Sequence, residues 1–426
     1  MDRLTLKFAA EALLRANDRN GCTVPAPALY PHQWNWDSAF CAIGWAYLDP
    51  RRAAGELEML LRGQWSSGMI PHIVFNPAAT NYEPNPKVWR IEGARGRPEG
   101  VETSSITQPP VLATAARFVL ERSGGDRVVE EALRRVVLAA DKWHAWFLRD
   151  RDPVGQGIPA IVHPWESGLD NAPRWDDALQ RIEPGEVTYR RRDDSVVDPK
   201  ERPTRFDYDR YFFLVEERAK LSFAPPTPAT VSFLVQDVAL ASILCRAEED
   251  LHALGRALGV EVPDALARRE KLKSGIARLY DAGLGYYHDF DLVSGTPIDV
   301  DHAAGFLPLF AGVVPLDVVP RLIARLKDPV HYGTPWPVPS APRSDPKFDS
   351  RRYWRGPSWI NVNWMIIEGL KRASWRADAA SLADRTLDLV ARSGFYEYYE
   401  PLTGEGLGAK GFSWTAALVL DLLAKS

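Results

Sequence analysis

Two stretches far apart in the chain carry carboxylates among aromatic side chains. Trp165-Glu166-Ser167-Gly168-Leu169-Asp170-Asn171-Ala172-Pro173-Arg174-Trp175 sets Glu166 and Asp170 between two tryptophans, in a segment whose Ser, Gly, Asn and Pro favour turns. Phe395-Tyr396-Glu397-Tyr398-Tyr399-Glu400 sets Glu397 among four aromatics, just ahead of the flexible turn Thr403-Gly404-Glu405-Gly406. Partial desolvation raises a carboxyl pKa, which suits an acid that must keep its proton at neutral pH. Tryptophan faces also stack on the apolar C–H side of sugar rings. Two such carboxylates are what glycoside hydrolysis requires: one protonates the leaving oxygen, and the other activates water or attacks the anomeric carbon. Glu166 competes with Asp170 for the first role and Glu400 with Glu397 for the second. The central stretch also reads as a helix N-terminus, with Asp170 or Asn171 as the cap.

A third stretch, Tyr30-Pro31-His32-Gln33-Trp34-Asn35-Trp36-Asp37-Ser38, offers stacking faces beside hydrogen-bonding groups, the combination that polyol recognition needs. Asp37 or Ser38 equally reads as a helix cap. Gln108, in Thr107-Gln108-Pro109-Pro110, stands before another helix. His32, His72 and His163 lack ligand spacing and read as satisfied structural histidines. The composition excludes other classes. A net charge of −4 over 426 residues leaves no basic footprint for nucleic acid or anionic lipid. The three cysteines, Cys22, Cys41 and Cys245, have no disulfide or zinc spacing and fit a reducing compartment. No metal or cofactor, no membrane span and no signal peptide are expected. The expectation is a cytoplasmic enzyme whose partner is a small-molecule glycoside, with a homo-oligomer left open.

The elements that must position these residues are helical. Periodic apolar patterns predict helices over about 3–17, 51–63, 107–121, 126–149, 230–246, 247–258, 263–281, 302–311, 316–327, 353–372, 376–392 and 412–423, one running on from Asp37, and a short hairpin at 283–295. A long irregular segment at about 71–107 reads as a loop folded over a cleft, with Tyr82 and Trp89 as lid residues. A charged insertion spans about 176–228. About a dozen helices joined by long aromatic-rich loops close as six hairpins, an inner ring wrapped by an outer one. The expected fold is therefore all-α, an (α/α)6 barrel forming a single domain over 1–426. An irregular α-solenoid is the competing architecture.

The Glu166-Ser167-Gly168-Leu169-Asp170-Asn171, Phe395-Tyr396-Glu397-Tyr398-Tyr399 and Phe412-Ser413-Trp414-Thr415 motifs together resemble family 63 of the glycoside hydrolases, and more distantly the family 37 trehalases. Gln33-Trp34-Asn35-Trp36-Asp37, Thr107-Gln108-Pro109-Pro110 and Tyr353-Trp354-Arg355-Gly356-Pro357 look most like its compact bacterial branch, which hydrolyses mannosylglycerate and glucosylglycerate. The resemblance covers nearly the whole chain. It implies an (α/α)6 barrel and an inverting, metal-free mechanism with Asp170 as general acid and Glu397 as general base. An inverting pair leaves room for a water, with carboxyls roughly 6.5–9.5 Å apart. Asp170 is then protonated at rest and Glu397 ionised, with Trp165, Trp175 and Tyr396 as apolar surroundings. By the same resemblance Arg205, Tyr211, Tyr353, Trp354 and the Gly356 backbone hold a glycerate aglycone, whose carboxylate calls for an arginine fork. Gln33, Trp34, Asp37 and Gln108 take the sugar, and Tyr30, Trp36, Trp165, Gly168, Trp359 and Trp414 complete the site. Gluco and manno sugars stay undistinguished. A trehalase-like α-glucosidase is the alternative, ahead of a sugar epimerase or a silent carbohydrate-binding protein.

Overall fold

The computed structural model describes residues 1–19, 21–79 and 82–425. Twelve helices build the body: α1 (Arg3–Ala16), α2 (Asn35–Trp45), α3 (Pro50–Leu61), α4 (Leu112–Arg122), α5 (Arg127–Asp150), α6 (Val238–Leu258), α7 (Ala265–Arg278), α8 (Leu307–Ala311), α9 (Val319–Lys327), α10 (Ile360–Arg372), α11 (Arg376–Ser393) and α12 (Ser413–Lys425). The even-numbered helices form a closed ring. Each packs against the next, and α12 returns to α2. The odd-numbered helices α1, α3, α5, α7 and α11 pack on its outside. The fold is thus mostly helical, an (α/α)6 toroid.

Burial follows the ring. Every residue of α2 is buried, as is α12 from Ser413 to Leu422, whereas outer α1 buries only the stripe Leu6, Ala10 and Leu14. An inner helix has neighbours on all sides and an outer one has a single apolar face. Gly44 lets α2 and α12 approach closely, since a Cβ there would lie 2.6 Å from that of Ala417. Caps stop and start the chain where polar residues allow: Asp2 accepts from the Thr5 N–H, and Asp126 accepts from that of Val128. The core is one contiguous cluster running through both rings, with a small satellite around Ala160, Val162, Val231 and Leu234.

Several expectations need correction. The two helices expected over 230–246 and 247–258 are the single α6, because no breaker interrupts Val238–Leu258. Val235–Gln236 is instead a strand, joined to Ala160–Ile161 and Asp289–Asp291 in a small antiparallel sheet. One hairpin was expected near 283–295. Two are found, Tyr280–Asp281 with Tyr286–Tyr287 and Asp289–Asp291 with Thr296–Ile298. Helix α10 begins only at Ile360, so residues 353–359 are free to line a site. Trp34, not Asp37 or Ser38, caps α2. Neither Asp170 nor Asn171 caps a helix; Asn171 Oδ1 accepts from the Trp354 N–H at 3.0 Å.

The insertion carries a helix of its own, Arg205–Lys220, started by a capping box between Thr204 and Asp207. It is fastened to the barrel: the Tyr398 hydroxyl donates to the Glu201 carbonyl at 3.1 Å, and the Glu201 carboxylate accepts from the Gly408 N–H at 3.1 Å. Among the described residues no helix is long and apolar enough to cross a membrane.

Candidate active site

One cavity, with about 790 Å³ of space between its walls, opens where the chain enters the inner helices. Trp34, Trp36 and Asp37 come from the start of α2, and Gln108 precedes α4. Trp165, Gly168 and Asp170 lie on the long approach to α6. Tyr353, Trp354 and Trp359 precede α10, and Glu397, Phe412 and Trp414 lead into α12. The approaches to five of the six inner helices therefore converge on one space. Residues hundreds of positions apart meet there because the ring closes.

Glu397 sits on the strand Tyr396–Tyr399, paired antiparallel with Gly406–Lys410. The register shifts between Tyr396 and Tyr398, and such an irregularity re-aims the side chain it contains. Glu397 Oε1 accepts from the Tyr30 hydroxyl at 2.9 Å and from Arg202 Nη1 at 3.3 Å, while Oε2 accepts from the Ala409 N–H at 3.0 Å. All these partners are donors, so both carboxylate oxygens accept hydrogen bonds. Gly408 must be glycine, because its φ is +67° and a Cβ would lie 2.6 Å from Glu397 Oε2.

Asp170 is held by its backbone: its carbonyl accepts from the Tyr211 hydroxyl at 2.9 Å, and its neighbour Asn171 grips Trp354. Just before it the 3₁₀ turn Pro164–Ser167 ends at Gly168, whose lack of a side chain makes room for the Trp36 ring. Burial pushes the Asp170 carboxyl up to about 7. The Arg202 charge opposes this and the Glu397 charge adds to it. Asp37, buried and facing the same carboxylates, is raised well above the usual range, again chiefly by burial.

Arg202 holds the centre of the site. Its Nε donates to Asp193 at 3.2 Å and its Nη2 to the Tyr30 hydroxyl at 2.8 Å, and its plane lies 4.1 Å over the Tyr353 ring. Burial alone would raise the Asp193 carboxyl. The Arg191 hydrogen bond and the Arg202 charge outweigh it, holding Asp193 at about 2. Trp354 and Trp359 stack face to face at 3.7 Å, and Trp36 meets Trp414 edge-on at 5.4 Å. Tyr353 adopts φ +42°, a left-handed conformation for a residue with a side chain, at the point where its ring supports Arg202.

Thirteen of the residues singled out in the sequence line this cavity: Asp170, Glu397, Tyr30, Trp34, Trp36, Asp37, Gln108, Trp165, Gly168, Tyr353, Trp354, Trp359 and Trp414. Four others do not. Arg205 opens an exposed helix, with 82% of its side chain in solvent and Asp209 as its ion-pair partner at 3.7 Å. Gln33 turns behind the wall, where its amide donates to Ser38 Oγ and the Glu56 carbonyl. Tyr211 supports the Asp170 backbone from outside the cavity. At Gly356 a Cβ would clash with the Asp349 backbone, which makes its role one of packing. The competing carboxylates are also engaged elsewhere. Glu166 takes both Arg151 nitrogens at 2.7 Å plus the Thr107 and Val162 N–H groups, and Glu400 accepts from the Leu402 and Thr403 N–H groups of its own turn.

Other expectations divide. Trp165 lines the cavity, Trp175 is fully buried behind it under Arg174, and Tyr396 packs against Gly406 outside it. In the 71–107 segment Tyr82 reaches the cavity, edge-on to Trp34 at 5.5 Å, whereas Trp89 is fully buried against His72 and Trp165. His163 is satisfied by the Trp165 N–H and the Tyr211 carbonyl. His72 is not: it lines the cavity, its Nδ1 has no partner among the described residues, and burial pushes it down to about 3. His32 has a partner on Nδ1 only.

Sequence reasoning missed Arg202, Asp193 and Tyr208, which line the cavity together, the Tyr208 hydroxyl donating to Asp193 at 3.0 Å. They sit in a segment so rich in Arg and Asp that composition cannot rank its members. A signal existed nonetheless: Thr204-Arg205-Phe206-Asp207 is a capping-box sequence, which puts Arg205 on a helix start, and Arg202 precedes a proline that keeps it extended.

Residues 30–415 match the family model described as the mannosylglycerate hydrolase MGH1-like glycoside hydrolase domain. The mannosylglycerate hydrolase of Thermus thermophilus is 44% identical over 96% of this chain and 99% of its own length. The glucosylglycerate hydrolase of Mycolicibacterium hassiacum is 38% identical over 98% of this chain and 97% of its own. Among solved structures, a Thermus thermophilus family 63 mannosylglycerate hydrolase in complex with Tris and D-glycerate superposes with a TM-score of 0.92, at 42% identity over 99% of this chain and 100% of that one.

Proposed function

Since the chain belongs to the mannosylglycerate hydrolase MGH1-like family and is a glycosidase, we propose that it hydrolyses a glycosylglycerate with Asp170 as general acid and Glu397 as general base. The observation that carries these roles is the contrast between the two carboxyls sharing one cavity. Burial pushes the Asp170 carboxyl up to about 7, which leaves it a proton to give, while Glu397 accepts from the Tyr30 hydroxyl, Arg202 and the Ala409 N–H. Asp170 protonates the glycosidic oxygen as the bond to the anomeric carbon lengthens. Glu397 draws a proton from a water attacking the opposite face, so an α-glycoside yields a β-sugar.

The walls divide the substrate. The tryptophans Trp36 and Trp414, which line the cavity with Asp37 and Gln108, suit the sugar; Gln108 is itself fixed by the Trp36 N–H at 3.2 Å. The aglycone side is supplied by Arg202, with Tyr30 and Tyr353 beside it. A buried guanidinium draws the carboxylate of glycerate by a charge-assisted hydrogen bond, whereas a second glucose offers it only neutral hydroxyl acceptors. That difference favours a glycoside of glycerate, whose carboxylate stays free, over a trehalose-like disaccharide.

Proton NMR of the protein with mannosylglycerate, glucosylglycerate and trehalose in parallel tests this reading. A glycerate substrate releasing the β-anomer first, with no turnover in Asp170→Ala or Glu397→Ala, is the expected result. Release of the α-anomer would overturn inversion, and turnover of trehalose alone would overturn the glycerate assignment.

A further inference from the structure

Away from the active site, a second cavity with about 520 Å³ of space lies between the end of α5, the 65–69 turn and the turn that follows the Arg205–Lys220 helix. Arg218 lines it and is only 4% exposed. Its Nη2 donates to the Ala224 carbonyl at 2.7 Å, but Nε and Nη1 have no partner among the described residues, and no carboxylate there forms an ion pair with it. Ser105 lines the same cavity, is 5% exposed, and has a hydroxyl without a partner.

Buried guanidinium groups are ordinarily paired, since an uncompensated charge is costly out of water. The neighbouring carboxylates are committed elsewhere. Glu166 is taken by Arg151, Glu217 by the Ser232 N–H and hydroxyl, and Asp150 by Arg149. Arg151 adds a second positive charge beside Arg218. Burial and that charge push the Arg218 guanidinium down to about 10. Trp65 and Phe223, edge-on at 5.7 Å, give the cavity an apolar wall.

We propose that this cavity binds a small organic oxyanion, its phosphate or carboxylate group drawn to the Arg218 guanidinium beside Ser105, with its body against Trp65 and Phe223. The site is independent of the reading of the catalytic cavity.

Titration calorimetry at constant ionic strength, with inorganic phosphate and phenyl phosphate as probes, tests it on the wild-type protein, Arg218→Met and Ser105→Ala. Saturable binding is expected in the wild type, tighter for phenyl phosphate. Arg218→Met weakens it about tenfold to a hundredfold and Ser105→Ala by a few fold. Removing an unpaired buried charge leaves Tm in anion-free buffer unchanged or raised in Arg218→Met, and kcat on the glycoside stays unchanged. No saturable binding of either probe overturns the proposal. So does equal affinity in Arg218→Met, which would assign the anion to the catalytic cavity, or a lower Tm for that variant without anion, which would make Arg218 an internally satisfied structural residue. Equal binding of both probes removes the organic body and its apolar wall from the proposal.

Discussion

Arg202 Nη1 lies 3.3 Å from Glu397 Oε1, and the same guanidinium reaches Asp193 and Tyr30, so one side chain from the insertion joins the hairpin of Glu397 to the floor of the cavity. The pair spans 195 residues of sequence. Its consequence is that the insertion completes the site rather than decorating the barrel.

Replacing Arg202 by Met should therefore lower kcat/KM by about a hundredfold to a thousandfold, or about 3–4 kcal/mol, because it strips Glu397 of its counter-charge and the aglycone of its cation. Arg205→Met, at an exposed helix start, should stay within about twofold. Steady-state kinetics of the two variants side by side decide between the arginines, and equal losses would return Arg205 to the site.

Activity should fall as pH rises through about 7, where Asp170 loses its proton. Stability moves the same way. Burial holds the native Asp170 proton up to about 7, whereas the unfolded chain releases it near the ordinary 3.8. The native state thus binds more protons across that window and loses stability as pH rises through it. Asp170→Asn should abolish turnover yet flatten this part of the Tm–pH curve. In the residual activity of Arg202→Met the basic limb should shift to higher pH, since the Arg202 charge lowers the Asp170 carboxyl. An unmoved limb would assign it to another group.

Gly408→Ala should cost about 1–3 kcal/mol at the transition state through displacement of Glu397, given its left-handed backbone and the 2.6 Å clash. Circular dichroism should remain native while kcat drops. A variant with full kcat would mean that the hairpin relaxes without moving the carboxylate.

Glu166→Gln should act on the fold. Leaving Arg151 buried beside an uncharged amide costs about 3–5 kcal/mol, visible as a lowered Tm and denaturation midpoint. Among the molecules still folded, kcat should stay within about tenfold of wild type, whereas loss of turnover without loss of stability would restore Glu166 as the acid.

Tyr82→Ala should raise KM more than it lowers kcat, because the ring closes the cavity against Trp34 and, among the described residues, makes no hydrogen bond to Asp170 or Glu397. Equal falls in kcat and kcat/KM would put Tyr82 in the transition state instead.

The sequence by itself determined the periodicity of the helices and the aromatic settings of Asp170 and Glu397, because these depend on residues within a few positions of one another. The extent of α5 and the Trp-rich approach to α2 were legible for that reason. Depth was not. Nothing local separates Glu166, which neutralises a buried arginine, from Asp170 four residues later, and the capping box and proline that mark Arg205 as a helix start and Arg202 as extended do not say which of the two is buried. Gln33 and Trp34 are adjacent, yet opposite sides of one strand send the first behind the wall and the second into the cavity. Those distinctions arise only when the ring closes and each residue meets partners from distant segments. Desolvation and charge, which set what a carboxyl can do, are properties of that assembled neighbourhood.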